Sequence, residues 1–256
     1  MKFAFHGHRS AIAAGHTLDS RMNARNVVRR APPIPDYLAK HYWWAYVHPL
    51  AVQFWDRVPL VNLILYGNYS RLRDQALEAL GADLSGRTLQ MTCCYGNFTP
   101  KLAEGVARSG GRLDVIDVLP IQLEALERKL PKGAPVRTAA MDATRLELPN
   151  QSYDRVVIFF LFHELPTEER VRAMREALRV VKPGGTILLV DFAKPALWHP
   201  FRYFWLPFLG LLEPFASDLW CRELDELMPK EMSQVAWTGR RSYFGGLFQM
   251  LKGMAR

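Results

Sequence analysis

The sequence predicts an α/β fold built on a doubly wound, mostly parallel sheet. Three observations carry this expectation. Between residues 87 and 191, strand-like and helix-like patterns alternate, the signature of βαβ units. The stretch at 154–161 is apolar almost throughout, as a strand buried on both faces must be. The stretch Arg87-Thr-Leu-Gln-Met-Thr-Cys-Cys-Tyr-Gly-Asn-Phe-Thr-Pro-Lys101 reads as a buried strand, a tight loop and the first turn of a helix. Nucleotide-type ligands of such sheets bind at this kind of junction.

Composition bounds the problem. The 256 residues suffice for one large α/β domain, and 49% hydrophobic with 23% charged side chains is globular usage. The three cysteines, Cys93, Cys94 and Cys221, form neither a disulfide framework nor a zinc motif, and they suit a reducing compartment. The formal charge is +8, but residues 1–40 hold seven basic and two acidic side chains, so +5 of it lies there. The basicity is a tail rather than a folded patch, which argues against nucleic-acid binding.

Taken in order, residues 1–33 form a basic N-terminal extension that is Arg- and Ala-rich and closes on Ala31-Pro-Pro33. It has no apolar core for a secretory signal. Its composition suits both a mitochondrial transit peptide and a plain flexible extension, and the residues do not separate the two. Residues 34–80 crowd aromatics (Tyr37, Tyr42, Trp43, Trp44, Tyr46, Phe54, Trp55, Tyr66, Tyr69) into pieces divided by Pro49 and Pro59. The last piece is expected to be one helix over 59–80, stopped by Gly81. An interfacial segment on a membrane, a lid over a greasy substrate and a helical cap packed into the core are all consistent with this usage.

From residue 81 to 256 the sheet domain is expected. Its first strand covers 88–92 and leads to a helix over 100–109, with Asn97 and Thr99 as candidate caps that leave N–H groups aimed at a ligand. The second strand covers 112–117. A helix with Ile121, Leu123, Leu126 and Leu130 follows, then a short strand near Val136, the fourth strand over 154–161 and a helix over 168–180. Pro183-Gly-Gly185 should stop the chain before a fifth strand over 186–191. Residues 195–221 are a second aromatic segment, inserted before a closing hairpin over 235–252 that turns near Gly245-Gly246. No apolar run reaches the ~20 residues a spanning helix needs.

Acidic residues fall at strand ends in a meaningful order. Asp117 ends the second strand about 20 residues past the loop, where an acid faces ribose hydroxyls in this architecture. Asp142 follows the third strand, placed to accept from an exocyclic amine. Asp154 begins the fourth strand, away from the ligand edge, and reads as structural. His163 and Glu164 lie at the carboxyl end of the fourth strand, candidates for a base and for a metal ligand or amine anchor. Tyr95 is placed to stack on a ligand or to fill space that glycines would leave. Asp191 ends the fifth strand and is expected in the same pocket.

The ordered set Gly96, Asp117, Asp142 and Val180-Val-Lys-Pro-Gly-Gly185, with Leu146-Glu-Leu-Pro149, resembles the Rossmann-like S-adenosylmethionine-dependent methyltransferases over roughly 84–194. This resemblance implies S-adenosylmethionine as cofactor, with Asp117 and Val118 at the ribose and Asp142 and Ala143 at the adenine. The loop with Thr92, Cys94 and Gly96 would hold the methionine part. The chain departs from that pattern: Gln90 replaces the usual acid of the first strand, and Thr92 and Cys94 replace loop glycines. The stretches Ile34-Pro-Asp-Tyr37, Tyr42-Trp-Trp-Ala-Tyr46-Val-His-Pro49, Cys94-Tyr-Gly-Asn-Phe-Thr-Pro100, Phe160-Leu-Phe-His-Glu164 and Leu212-Glu-Pro-Phe215 are similar to the rhodoquinone biosynthesis proteins related to quinone methyltransferases.

That narrower resemblance implies conversion of membrane-borne ubiquinone to rhodoquinone. A ring methoxy group is replaced by an amino group, with S-adenosylmethionine as nitrogen donor and a divalent metal such as manganese. It also implies a peripheral membrane location: the cytoplasmic face of a bacterial inner membrane, or the matrix side of the mitochondrial inner membrane if the extension is a transit peptide. A conventional quinone or lipid methyltransferase, and a non-catalytic scaffold of a quinone-synthesis complex, are the rival readings.

Overall fold

The computed structural model describes residues 31–204 and 214–256. Most of the expected basic extension, and Trp205 and Phe208 of the second aromatic segment, lie outside the described residues. The strands are β1 (Arg87–Met91), β2 (Arg112–Asp117), β3 (Val136–Ala140), β4 (Tyr153–Phe159), β5 (Val181–Phe192), β6 (Val235–Tyr243) and β7 (Phe248–Ala255). They form one sheet in the order β3-β2-β1-β4-β5-β7-β6. β1 to β5 pair in parallel, and β7 runs antiparallel to both β5 and β6. The expected parallel, doubly wound α/β sheet and its closing hairpin are therefore present.

The helices are α1 (Asp36–His41), α2 (Pro49–Trp55), α3 (Val58–Ile64), α4 (Tyr69–Leu80), α5 (Phe98–Arg108), α6 (Pro120–Glu127) and α7 (Thr167–Val180), with a π-helical turn at Trp43–Val47. Short helices follow at Phe201–Phe204, Ala216–Cys221, Leu224–Leu227 and Pro229–Met232. The alternation of β and α explains the layering. Val156 to Phe159 of β4 and Ile187 to Val190 of β5 are all fully buried, so helices must cover both faces of the parallel strands. Residues 31–256 make one packing unit, and Val61, Leu65, Tyr69 and Leu72 share the buried cluster of the sheet.

Two expectations are corrected. The single helix over 59–80 is two helices, α3 and α4, because Tyr66 (φ 52°) and Gly67 (φ 79°) take left-handed backbone conformations. The Asn68 side chain closes that turn by donating to the carbonyls of Leu65 and Tyr66, at 3.2 and 3.0 Å. Pro183-Gly-Gly185 ends no segment: α7 stops at Val180 and the chain enters β5 at once. The motif instead forms a bulge, with Tyr153 paired to Val181 but Arg155 to Thr186.

The strand order reverses between β1 and β4. Ligands of doubly wound sheets bind outside the carboxyl ends of the strands at such a switch point. Thr92, just past β1, and Phe160, just past β4, flank that point, and both have positive φ, at 73° and 56°. Non-glycine residues in this region store roughly 1–3 kcal/mol of strain each and cluster at functional sites.

Candidate active site

A cavity of about 550 Å³ opens at the switch point, within the ~300–1,000 Å³ typical of small-molecule sites. One end is polar. Asp117 closes β2, Asp142 and Ala143 follow β3, and His163 and Glu164 follow β4; all of them line it, with Thr92, Cys94, Tyr95 and Val118. The sequence-derived candidates thus converge in space, with two exceptions. Gly96 is not among the lining residues, and Asp191 lies behind the wall, fully buried beneath His163.

The loop after β1 is built differently from the expectation. Thr92 keeps the left-handed conformation for which a glycine is the easy residue. Its hydroxyl donates to Asp117 Oδ2 at 2.8 Å, joined there by the Cys93 amide at 3.0 Å, while the Leu119 amide donates to Oδ1 at 2.9 Å. Burial raises the Asp117 carboxyl above its ordinary value, and these donors oppose that effect. A carboxylate has about four lone-pair positions, so Oδ1 retains capacity for an incoming hydroxyl. Asp142 Oδ1 is held by the amide and hydroxyl of Thr144, at 2.8 and 2.7 Å.

The start of α5 is capped by a residue the sequence did not point to. Asn97 is the N-cap by position but makes no side-chain cap hydrogen bond. The amides of Asn97 and Phe98 donate instead to the Tyr69 hydroxyl, at 2.7 and 2.9 Å. The Gly96 amide donates to Asp56 Oδ1 at 2.8 Å. These three N–H groups are not aimed at a ligand. Asn97 Oδ1 accepts from Arg73 at 2.8 Å, and the Thr99 hydroxyl accepts from Gln90 Nε2 at 2.9 Å, so neither caps the helix. Gln90 itself lies fully buried within β1.

Tyr95 acts as a tether. Its hydroxyl donates to the Ala45 carbonyl at 2.6 Å and accepts from Gln122 Nε2 at 3.1 Å, and its ring lies 5.4 Å from that of Tyr46. Burial pushes its phenol well above the usual range and lifts the Cys94 thiol to about 12, so neither is a base or nucleophile near neutral pH.

His163 is the residue best arranged for proton transfer. Its Nδ1 lies 3.1 Å from Asp191 Oδ1, and its Nε2 lies 3.7 Å from Glu164 Oε1. Asp191 is fixed by the amides of Phe162 and Phe192, at 2.7 and 2.8 Å. The Asp191 carboxylate can only accept, so Nδ1 keeps its proton and donates it in a hydrogen bond, which places the imidazole lone pair on Nε2. Phe160 and Phe192 pack edge-on against the ring. Arg170, fully buried, secures this turn by donating to the Phe162 carbonyl at 2.6 Å.

The other end of the cavity is apolar. Trp44, Trp55, Leu63, Ile64 and Tyr66, all from the segment before β1, line it. Among the lining residues there are three carboxylates and no Lys or Arg. Such a lining suits a ligand of net positive charge, and S-adenosylmethionine, with a sulfonium, an ammonium and one carboxylate, is one. The acids at the ends of β2 and β3 and the spare acceptor on Asp117 also suit its adenosyl part. Among the described residues no group of three or more His, Cys, Asp or Glu side chains is arranged to hold a metal ion.

Comparison with known proteins agrees with this geometry. The methyltransferase-domain family model matches residues 88–185. The demethylmenaquinone methyltransferase of Bacillus subtilis is 23% identical over 190 residues, 73% of this chain and 79% of that protein. An uncharacterized methyltransferase of Synechocystis is 25% identical over 214 residues, 83% of this chain and 94% of that protein. Among solved structures, the magnesium protoporphyrin IX methyltransferase of Synechocystis, crystallised with S-adenosylhomocysteine, superposes with a TM-score of 0.56 at 16% identity, covering 74% of this chain and 84% of that one. Residues 88–185 thus resemble a methyltransferase domain, the sheet has the Rossmann-like fold seen in solved methyltransferases, and demethylmenaquinone methyltransferases are among the chain's sequence relatives.

Proposed function

We propose that the protein binds S-adenosylmethionine across the carboxyl ends of β1 to β3 and modifies the ring of a prenylated quinone at a membrane surface. The observation that carries this reading is the two-ended cavity. Asp117 and Asp142 line one end, and the other is walled by Trp44, Leu63 and Ile64, which are also exposed on the protein surface. Trp43, Leu50 and Phe54 extend the exposed apolar surface of the same segment. An apolar patch of this kind rimming a cavity is the expected form of a lipid-facing entrance. No helix among the described residues is long and apolar enough to cross a membrane, so docking from the surface fits the segment better than spanning.

Following the resemblance of the aromatic stretches and of Cys94-Tyr-Gly-Asn-Phe-Thr-Pro100, the modification we infer is conversion of ubiquinone to rhodoquinone, with an amino group replacing a ring methoxy group. When bound, the cofactor supplies a cationic sulfonium together with an amino group. The chain's own residues do the rest. Asp117 holds the ribose, and Asp142 with Ala143 holds the adenine. His163, oriented by Asp191, would take at Nε2 the proton that the incoming nitrogen loses and return it to the methoxy oxygen, which leaves the ring as methanol, and Glu164 would stabilise the charge held meanwhile on the imidazole. The aromatic wall excludes water from the ring.

Conventional methylation of a quinone is the second reading, and the demethylmenaquinone methyltransferase relatives favour it. Mass spectrometry of quinones from a ubiquinone-making, rhodoquinone-lacking bacterium expressing the chain tests both. An amino-for-methoxy quinone, absent with a folded Asp117→Ala variant, is the expected result. A methylated quinone selects the second reading. An unchanged quinone pool with folded, membrane-bound protein favours a non-catalytic scaffold, the reading to which the Thr92 hydroxyl on Asp117 lends support.

A further inference from the structure

The geometry points to Asp56 as a positioning residue for the cofactor loop, acting through Gly96 and Lys129. On this reading cofactor binding and docking of the helices that cover the substrate end are one coupled event. The inference rests on the assignment of loop 92–97 to S-adenosylmethionine.

Asp56 caps the carboxyl end of α2, directly after the cavity-lining Trp55. Its Oδ1 accepts from the Gly96 amide at 2.8 Å and from Lys129 Nζ at 2.7 Å, and the same Nζ donates to the Gly96 carbonyl at 2.9 Å. The N–H and the C=O of Gly96, in the two peptide units that flank its Cα, are thus both held by one ion pair, Asp56 with Lys129. The Asp56 side chain is only 9% exposed, so water competes poorly for these charge-assisted bonds.

The neighbouring residues repeat the arrangement. Tyr95 is tied to Ala45, Gln122 to the Tyr46 carbonyl at 3.1 Å, and the amides of Asn97 and Phe98 to Tyr69. Three consecutive stretches of the segment before β1 therefore hold three consecutive stretches of the loop. With Thr92 and Cys94 where glycines are usual, the loop takes its shape from these external ties. The same segment walls the apolar end of the cavity, so a change in loop geometry on cofactor binding must be felt there, and the reverse.

The test uses the full chain, with S-adenosylhomocysteine as probe, isothermal calorimetry for affinity and hydrogen exchange for amides 43–65. The wild type is expected to gain protection over 43–65 when the probe binds. Asp56→Asn keeps the side-chain shape but loses the charge opposite Lys129. It is expected to weaken the probe at least tenfold and to abolish that protection, although Asp56 lies outside the cavity lining. Asp56→Glu, which restores the charge, should recover part of both. Should Asp56→Ala fail to fold, the Asn and Glu variants still decide. An ion pair with a merely structural role lowers the melting temperature of Asp56→Asn but leaves affinity within twofold and the protection intact, and that result overturns the inference. A folded wild type that does not bind the probe overturns the cofactor reading itself, and this inference with it.

Discussion

Gly96→Ala isolates the tightest point of the loop. Gly96 has φ +85°, and a Cβ there would overlap the Tyr69 hydroxyl and lie 2.6 Å from Tyr69 Cζ. An L-residue in the left-handed region costs roughly 1–2 kcal/mol. The Tyr69 ring, 1% exposed within the core, has no room to retreat. Overpacking of this kind costs about 1–3 kcal/mol. Displacing the hydroxyl also disturbs its bonds to the Asn97 and Phe98 amides, worth ~1 kcal/mol each. Together these come to about 4–7 kcal/mol. At roughly 2–4 °C per kcal/mol for a chain of this size, the melting temperature should fall by about 10 °C or more. Gly110→Ala is the control: its φ is +67°, but nothing lies within 4 Å of the added Cβ, so only the backbone strain remains. Differential scanning fluorimetry of both variants reads the difference. A Gly96→Ala loss no larger than that of Gly110→Ala would refute the steric argument and the role given to Tyr69.

Tyr69→Phe removes the hydroxyl that caps α5 and leaves two amides without their acceptor; urea unfolding should show a loss of about 1–3 kcal/mol. Leu50→Ser with Leu63→Ser changes side chains that are 69% and 71% exposed, so thermal stability should hold. Flotation with quinone-containing anionic vesicles should nevertheless drop at least tenfold, because each lost side chain removes about 1.5 kcal/mol or more of apolar burial in the bilayer. His199 is buried, its Nδ1 accepts from the Phe201 amide at 3.2 Å, and burial lowers its pKa below 6.5. The unfolded chain then binds a proton that the folded chain resists, so stability falls as pH drops below about 6.5, by at most ~1.4 kcal/mol per pH unit. His199→Asn keeps an acceptor but does not titrate, and denaturation curves at pH 7 and 5.5 should show a smaller difference for it than for the wild type.

The sequence by itself determined the layered α/β fold. Strand and helix periodicity, and the two-sided burial of 154–161, act within a few residues and need no distant partner. It also placed Asp117, Asp142, His163 and Glu164 in one site, because strand ends in a parallel sheet share an edge. Tertiary structure decided which groups hold that site in shape. Tyr69 caps a helix 28 residues downstream, in place of the local Asn97. Asp56 and Lys129, 73 residues apart, close on Gly96. Asp191 orients His163 from behind the wall instead of lining the cavity. The helix over 59–80 broke because the turn at Tyr66-Gly67, closed by Asn68, lets α3 wall the cavity while α4 joins the core of the sheet. Local sterics and periodicity fix what an element is. Which buried donor meets which acceptor depends on how the elements pack, and that is settled only when the whole chain has folded.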